Sequence, residues 1–327
     1  MAHAWPGRAC LVTGGTGFGG SHLCSELLAR GARVYVLDRV FPRNSYLVLQ
    51  GLEQRVEFIQ GDIRDLDLLR LSIERYEIDT IFHLAAQPIA PLSNVLPFET
   101  LSVNALGTYT VLEAMRTTRC AKSLVFASSG AHYGATTTDR PIAEDDALCP
   151  ALNLYGPSKT AGDVAVQSYA RVYDLGAAVC RFMNTYGPGD TNFSRIVPRA
   201  IHNLLTDAPY DFGERDDGST RLDFVHIRDM TGAYLCVAEQ MDVAKGQAFN
   251  FGRGQPVSTG DLARLASRAF DGVERKPLFR GPTRATPIVK TLDISKAKRL
   301  LGWQPETSLE QGLRETIAWY RAHLAAL

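Results

Sequence analysis

"ACLVTGGTGFGG", residues 9–20, sets a short apolar run against a cluster of glycines, and its reading decides the fold. The run ends at Thr13, and Gly14, Gly17 and Gly20 follow with the spacing G-x-x-G-x-x-G ahead of a helical pattern near 19–30. That is the junction between the first strand and first helix of a βαβ unit. Glycine there makes the turn tight, lets a pyrophosphate approach the backbone and lets the helix pack closely on the strand. The helix start then offers free N–H groups and partial positive charge to phosphates. Gly14, Gly17 and Gly20, with Phe18 among them, are candidate dinucleotide-binding residues. A tight turn without a ligand is the competing reading, and the strand–helix context weighs against it.

Working outward, strand candidates recur as "RVYVLD" (33–38), "VEFIQGD" (56–62), "TIFHLAA" (80–86), "SLVFASS" (123–129) and "AAVCRFMN" (177–184). Helical stretches separate them at 65–76, 97–117 and 154–174. The strands are nearly continuous apolar runs, as expected for a parallel sheet covered on both faces. Strand and helix in alternation mean a doubly wound α/β domain with right-handed crossovers. Past about residue 186 the rhythm changes to polar, glycine-rich loops such as "GPGDTNFSR" and "FGERDDGSTR". A short strand "AFNFG" (248–252) is expected to rejoin the sheet, and 307–326 reads as an amphipathic helix. Residues 1–186, with 222–252 returning, form the expected dinucleotide-binding domain. Residues 187–327 form a smaller, interleaved substrate domain.

Basic and acidic residues number 35 each, so net charge gives no case for binding nucleic acid or an anionic membrane. The six cysteines (Cys10, Cys24, Cys120, Cys149, Cys180, Cys236) lack any CxxC pair and read as small hydrophobes in a reducing compartment. No metal site is expected. No apolar run approaches the length of a membrane span, and a cytoplasmic protein is expected.

The second strand ends at Asp38, eighteen residues beyond Gly20. A carboxylate there accepts from the adenosine ribose hydroxyls and repels a 2′-phosphate, so NAD is favoured over NADP, with Arg39 next door as the opposing influence. Asp62, ending the third strand in "GDIRD", is placed either to accept from an adenine amino group or to cap the following helix. The fifth strand delivers Ser128 and Ser129 to the carboxyl edge of the sheet, where ligands of open α/β sheets bind. The next helix carries Tyr155 in its first turn and Lys159 one turn later on the same face. A phenol is too weakly acidic to serve as a base at neutral pH, but a neighbouring ammonium and a bound nicotinamide favour the phenolate. Ser129 can share the same substrate proton. The set reads as a general base for an alcohol whose hydride leaves for NAD.

These motifs, with "HLAAQ", "VNALGTYTVLEA", "RFMNTYGPGD", "DFVHIRDM", "FNFG" and "LGWQPETSLEQGL", make the chain resemble the extended short-chain dehydrogenases/reductases over nearly its whole length. Within them it is most similar to the NAD-dependent epimerases and dehydratases of nucleotide sugars. The resemblance implies Ser129, Tyr155 and Lys159 as catalytic residues, Lys159 also reaching the nicotinamide ribose. It implies Gly14, Gly17, Gly20, Asp38, Asp62 and Ile63 around NAD, with Ala85 and Gln87 near cofactor and sugar. Asn104 corresponds to an amide that braces the active-site backbone, a buried structural Asn being the alternative. Asn184 corresponds to a sugar-diphosphate contact. A homodimer through the helices near 97–117 and 154–174 is implied.

In such enzymes a transient 4-keto sugar has several fates. It takes hydride back on the other face (4-epimerase), loses water (4,6-dehydratase) or loses carbon dioxide (hexuronate decarboxylase). A 4-ketoreductase using free NADPH shares the same fold and triad. Similar dehydratases place acid and base directly after the active-site hydroxyl, where this chain has Gly130 and Ala131. That departure favours the 4-epimerase. His132 follows and reads as structural. Arg195 before Pro198, and Pro88 in "AAQP", resemble CDP-hexose 4,6-dehydratases. For the diphosphate, such chains have Arg before Asp-Phe, where this one has Leu222, which leaves Arg221, Arg280 and Arg284 as competing candidates.

Overall fold

The computed structural model of the chain describes residues 5–118, 120–134, 140–148, 150, 151, 153–283 and 285–327. Cys149 and Arg284 lie outside the described residues. Strands β1 (Ala9–Thr13), β2 (Arg33–Asp38), β3 (Glu57–Gln60), β4 (Thr80–His83), β5 (Ser123–Ser129), β6 (Ala177–Phe182) and β7 (Ala248–Phe251) form one sheet in the order β7-β6-β5-β4-β1-β2-β3. Every pairing in it is parallel. The chain runs outward from β1 to β3, then returns to place β4 on the other side of β1. Strand order therefore reverses between β1 and β4, and that is where such sheets open a crevice at their carboxyl ends.

The principal helices are α1 (Phe18–Ala29), α2 (Leu66–Arg75), α3 (Gly107–Thr117), α4 (Tyr155–Tyr173), α5 (Ile196–Leu205), α6 (Ile227–Glu239), α7 (Thr259–Asp271) and α8 (Leu309–His323). Successive strand residues point to opposite faces, and both faces are filled. Val12, Val36, Phe82 and Val125 pack with Leu23 and Leu27 of α1 and Leu235 of α6. Their neighbours Leu11, Leu37, Ile81 and Phe126 pack with Ile73 of α2, Val111 of α3 and Val166 of α4. This two-sided burial is why the strands carry no polar alternation. A third apolar cluster gathers Tyr186, Phe212 and Phe224 with α5, α7 and α8.

Two expected elements differ. The helix expected over 97–117 is broken into Pro97–Leu101, a wide π turn over Ser102–Leu106, and α3. The strand expected to reach Asn184 stops at Phe182. Asn184–Tyr186 then starts a separate parallel ladder with Phe224–His226. The segment Ala248–Phe251 does rejoin the sheet, beside β6. Arg221–Leu222 pairs with Val257–Ser258 on one side and Val289–Lys290 on the other. Among the described residues no helix is long and apolar enough to cross a membrane.

Candidate active site

The glycine loop is a cradle that side chains would fill. Gly14 has φ +71°, and a Cβ there would stand 2.7 Å from the backbone of Ala85. At Gly20 a Cβ would lie 2.2 Å from the Gly14 carbonyl oxygen. Helix α1 starts after Gly17 with no side chain capping it, whereas Asp65, Ser258 and Ser308 cap α2, α7 and α8. An uncapped start leaves orphan N–H groups for an anion. Asp38 closes the loop: its carboxylate accepts from Thr16 Oγ1 at 2.6 Å and from the Arg39 N–H at 2.9 Å. Arg39 itself leans toward Glu99, 3.8 Å away. Backbone cradle, bare helix start and strand-end carboxylate together fit a dinucleotide.

Asp62 does not cap α2; Asp65 does, accepting from the Leu68 N–H at 3.0 Å. The Asp62 carboxylate instead holds Arg64 at 2.7 Å, and that hydrogen bond keeps its carboxyl below the usual range. A cleft of about 900 Å³ runs along the carboxyl edge of the sheet, lined by Gly14, Gly17, Phe18, Gly20, Asp38, Asp62, Ile63 and Ala85 at the loop end. Ser129, Tyr155, Lys159, Asn184 and Arg195 line its continuation.

Tyr155 and Ser129 share the cleft lining, the serine hydroxyl acting on the phenol, and Ser129 Oγ accepts from the Ala131 N–H at 3.1 Å. Lys159 is buried, and its Nζ donates to the Ala127 carbonyl at 2.8 Å. Burial is the dominant influence on Tyr155 and raises its pKa, opposed by the neighbouring Ser129 hydroxyl and the charge of Arg195. The protein's own groups therefore leave the phenol protonated, because the cost of burying a phenolate outweighs the attractions offered to it. Lys159 is pushed down to about 8 by burial, with the charge of Asp163 opposing.

Behind β5 lies a buried polar network. Asp163, one turn beyond Lys159, accepts from Ser128 Oγ at 2.7 Å, from Arg181 Nε and Nη2 at 2.9 and 2.8 Å, and from Gln167 at 2.8 Å. Arg181 also donates to Tyr133 Oη at 2.8 Å, and that hydroxyl donates to Asn250 at 2.8 Å. His132 is buried with Nδ1 3.7 Å from Asp163 and does not line the cleft. Asn104, in the π turn, accepts from the Gln87 N–H at 2.7 Å and donates to the Gln87 carbonyl at 3.1 Å and to Ser158 at 2.9 Å. It thereby ties the loop past β4 to the first turn of α4.

Three expected site residues are not brought to the cleft lining. Gln87 spends its amide on Thr100 Oγ1 at 2.9 Å and on Ile89, while its neighbours Ala86 and Pro88 line the cleft. Arg221 is exposed and donates to the Pro256 carbonyl at 3.1 Å. Strand alternation turns it outward and Leu222 inward. Arg280 is paired with Asp211 at 2.7 Å. The cleft also takes in Thr16, Met183, Leu222, Met230, Tyr234 and Lys290, none of which was a candidate site residue in the sequence. Among the described residues no cluster of three His, Cys, Asp or Glu side chains could hold a metal ion.

Comparison with known proteins agrees with this geometry. The UDP-glucose 4-epimerase of Mycolicibacterium smegmatis is 34% identical over 317 residues, covering 95% of this chain and 98% of that protein. The UDP-glucose 4-epimerase of Thermotoga maritima, solved with UDP-glucose, superposes with a TM-score of 0.86 at 28% identity, covering 97% of this chain and all of that one. The UDP-glucuronic acid 4-epimerase of Bacillus cereus, solved with UDP-glucuronic acid and NAD, superposes with a TM-score of 0.84 at 26% identity, over 96% and 99% of the two chains. Residues 10–252 match the NAD dependent epimerase/dehydratase family. The glycine cradle, the strand-end carboxylate and this match together make the chain an enzyme of the NAD dependent epimerase/dehydratase family, with NAD as its cofactor.

Proposed function

We propose that the protein is a nucleotide-sugar 4-epimerase, with UDP as the carrier that its relatives' names suggest. The observation that carries this reading is that Tyr155, Lys159 and Ser129 line one cleft with the dinucleotide cradle, Ser129 being followed there by Gly130 and Ala131. Neither Gly130 nor Ala131 can move a proton, so the site equips oxidation at one carbon and not the elimination a dehydratase performs.

NAD, held by the 14–20 loop, Asp38 and Lys159, supplies a hydride acceptor and donor. Tyr155 takes the proton of the sugar C4 hydroxyl and returns it after the ring has turned over. Ser129, its Oγ fixed by the Ala131 N–H, orients that hydroxyl. Lys159 holds a cation at the site, and bound NAD would add a positive charge favouring the phenolate that burial disfavours. Asn184 and Arg195 face the rest of the nucleotide sugar. Residues 187–327 act as the substrate lobe, interleaved with the cofactor domain through 222–252. The exposed apolar residues of the helices near 97–117 and 154–174, Phe98 and Val172 foremost at 82% and 71% exposure, support a homodimer through that face. The free cysteines, three of the described five buried, support a cytoplasmic location.

Incubation with UDP-glucose and UDP-galactose, followed by NMR, tests the reading: each should give the other. Tyr155→Phe should lose about 10²–10⁴-fold in turnover while keeping bound NAD. Survival of activity in that variant would overturn the base assignment.

A further inference from the structure

The cleft holds a cation that this mechanism does not use. Lys290 enters the lining from the two-residue strand Val289–Lys290, in register with Leu222 across the parallel pairing. Register partners present their side chains to one face, and Leu222 lines the cleft as well, while Arg221 and Val289 do not. Lys290 is half-buried, and its Nζ donates to the Gly134 carbonyl at 2.7 Å. Among the described residues no carboxylate lies within ion-pair distance, and burial alone acts on its pKa, lowering it. Gly134 ends the turn Gly130–Tyr133 that follows Ser129. The tether therefore sets Lys290 against the turn that leads on from Ser129.

The other cations around the cleft are engaged. Lys159 has the negative charge of Asp163 acting on it, Arg195 is paired with Asp190 at 3.0 Å, and Arg39 faces Glu99 at the opposite end. An ammonium has three donors, and Lys290 commits one to Gly134. A partly desolvated cation without an anionic partner favours a ligand that brings one. We propose that Lys290 receives a carboxylate carried on the sugar ring, so that the preferred substrate is a nucleotide-linked hexuronate and not a neutral hexose. This rests on the epimerase reading.

The test compares wild type, Lys290→Met and Lys290→Arg, with folding checked by thermal unfolding, on UDP-glucuronate and UDP-glucose. Initial rates are read by NMR, and UDP affinity is measured separately. Wild type is expected to prefer the hexuronate in kcat/KM by about 10–100-fold, the range of a hydrogen bond to a charged group. Lys290→Met should remove that preference while leaving the neutral hexose within about twofold, and Lys290→Arg should keep most of it. Equal losses on both sugars in Lys290→Met would reduce Lys290 to a tether for Gly134 and overturn the proposal. Weakened UDP binding would move the cation to the diphosphate, and a wild type without preference would remove the carboxylate; either result overturns it. All three leave the epimerase reading standing. A wild type that epimerises neither sugar overturns that reading and this proposal together.

Discussion

Replacing Asp163 by Asn separates two roles of the network behind β5. Asp163 and Arg181 are 0% and 4% exposed, with N–O distances of 2.8 and 2.9 Å. Asp163 also accepts from Ser128 and Gln167. Asparagine keeps the shape, but turns one acceptor into a donor among donors and leaves the Arg181 guanidinium buried without its counter-ion. Breaking such a pair costs about 3–5 kcal/mol, which lowers the melting temperature by about 4–7 °C in a chain of this size. Replacing both partners with well-packed apolar residues should recover much of that loss.

The same substitution removes the charge that supports the Lys159 ammonium. Burial has already brought Lys159 down to about 8, so without Asp163 it falls further. Loss of that ammonium withdraws support from the phenolate, and the alkaline limb of the kcat profile should move to lower pH. Thermal unfolding and a pH–rate profile of the NAD-loaded enzyme read the two effects. A variant that melts with the wild type and keeps its alkaline limb would refute both roles.

Four histidines set the acid behaviour: desolvation lowers His22, His132 and His226 to about 4 and His83 to about 3, from an ordinary 6.5. Between those values the unfolded chain binds more protons than the folded one. Stability therefore falls as pH drops below 6.5, by up to about 1.4 kcal/mol per unit per histidine, and a melting temperature flat from neutral pH to pH 5 would contradict it. Gly20→Ala places a methyl 2.2 Å from the Gly14 carbonyl oxygen; the purified variant should carry little NAD, and full occupancy by released-nucleotide absorbance would count against the cradle. Phe98→Glu with Val172→Glu should give a monomer by light scattering; an unchanged dimer places the interface elsewhere.

The doubly wound sheet was legible because each strand is buried on both faces and each crossover carries its own helical period. The glycine loop, Asp38, Ser129 and Tyr155 were legible because local geometry dictates them: turn, strand end, helix first turn. What escaped depends on long-range packing. Nothing in "SVNAL" announces the π turn that aims Asn104 at Gln87. The arginines of "STRLD" and "LFRGP" carry no signal of direction, and the structure spends Arg221 on a neighbouring carbonyl and Arg280 on Asp211. Lys290 sits in "PIVKTLD" with no motif, and reaches the cleft only because its two-residue strand pairs with residues far earlier in the chain. The phenol's acidity was legible only in part, since proximity to an ammonium is visible in a helix repeat and depth of burial is not.

The most direct measurement follows the label on the reacting carbon. The NAD-loaded protein is given UDP-glucose and UDP-glucuronate bearing deuterium at C4, and the products are read by NMR. The expected result is the C4 epimer with deuterium still on C4 and none released to solvent. Deuterium transferred to C6 of a 4-keto-6-deoxy sugar, or loss of carbon dioxide from the hexuronate, would contradict it.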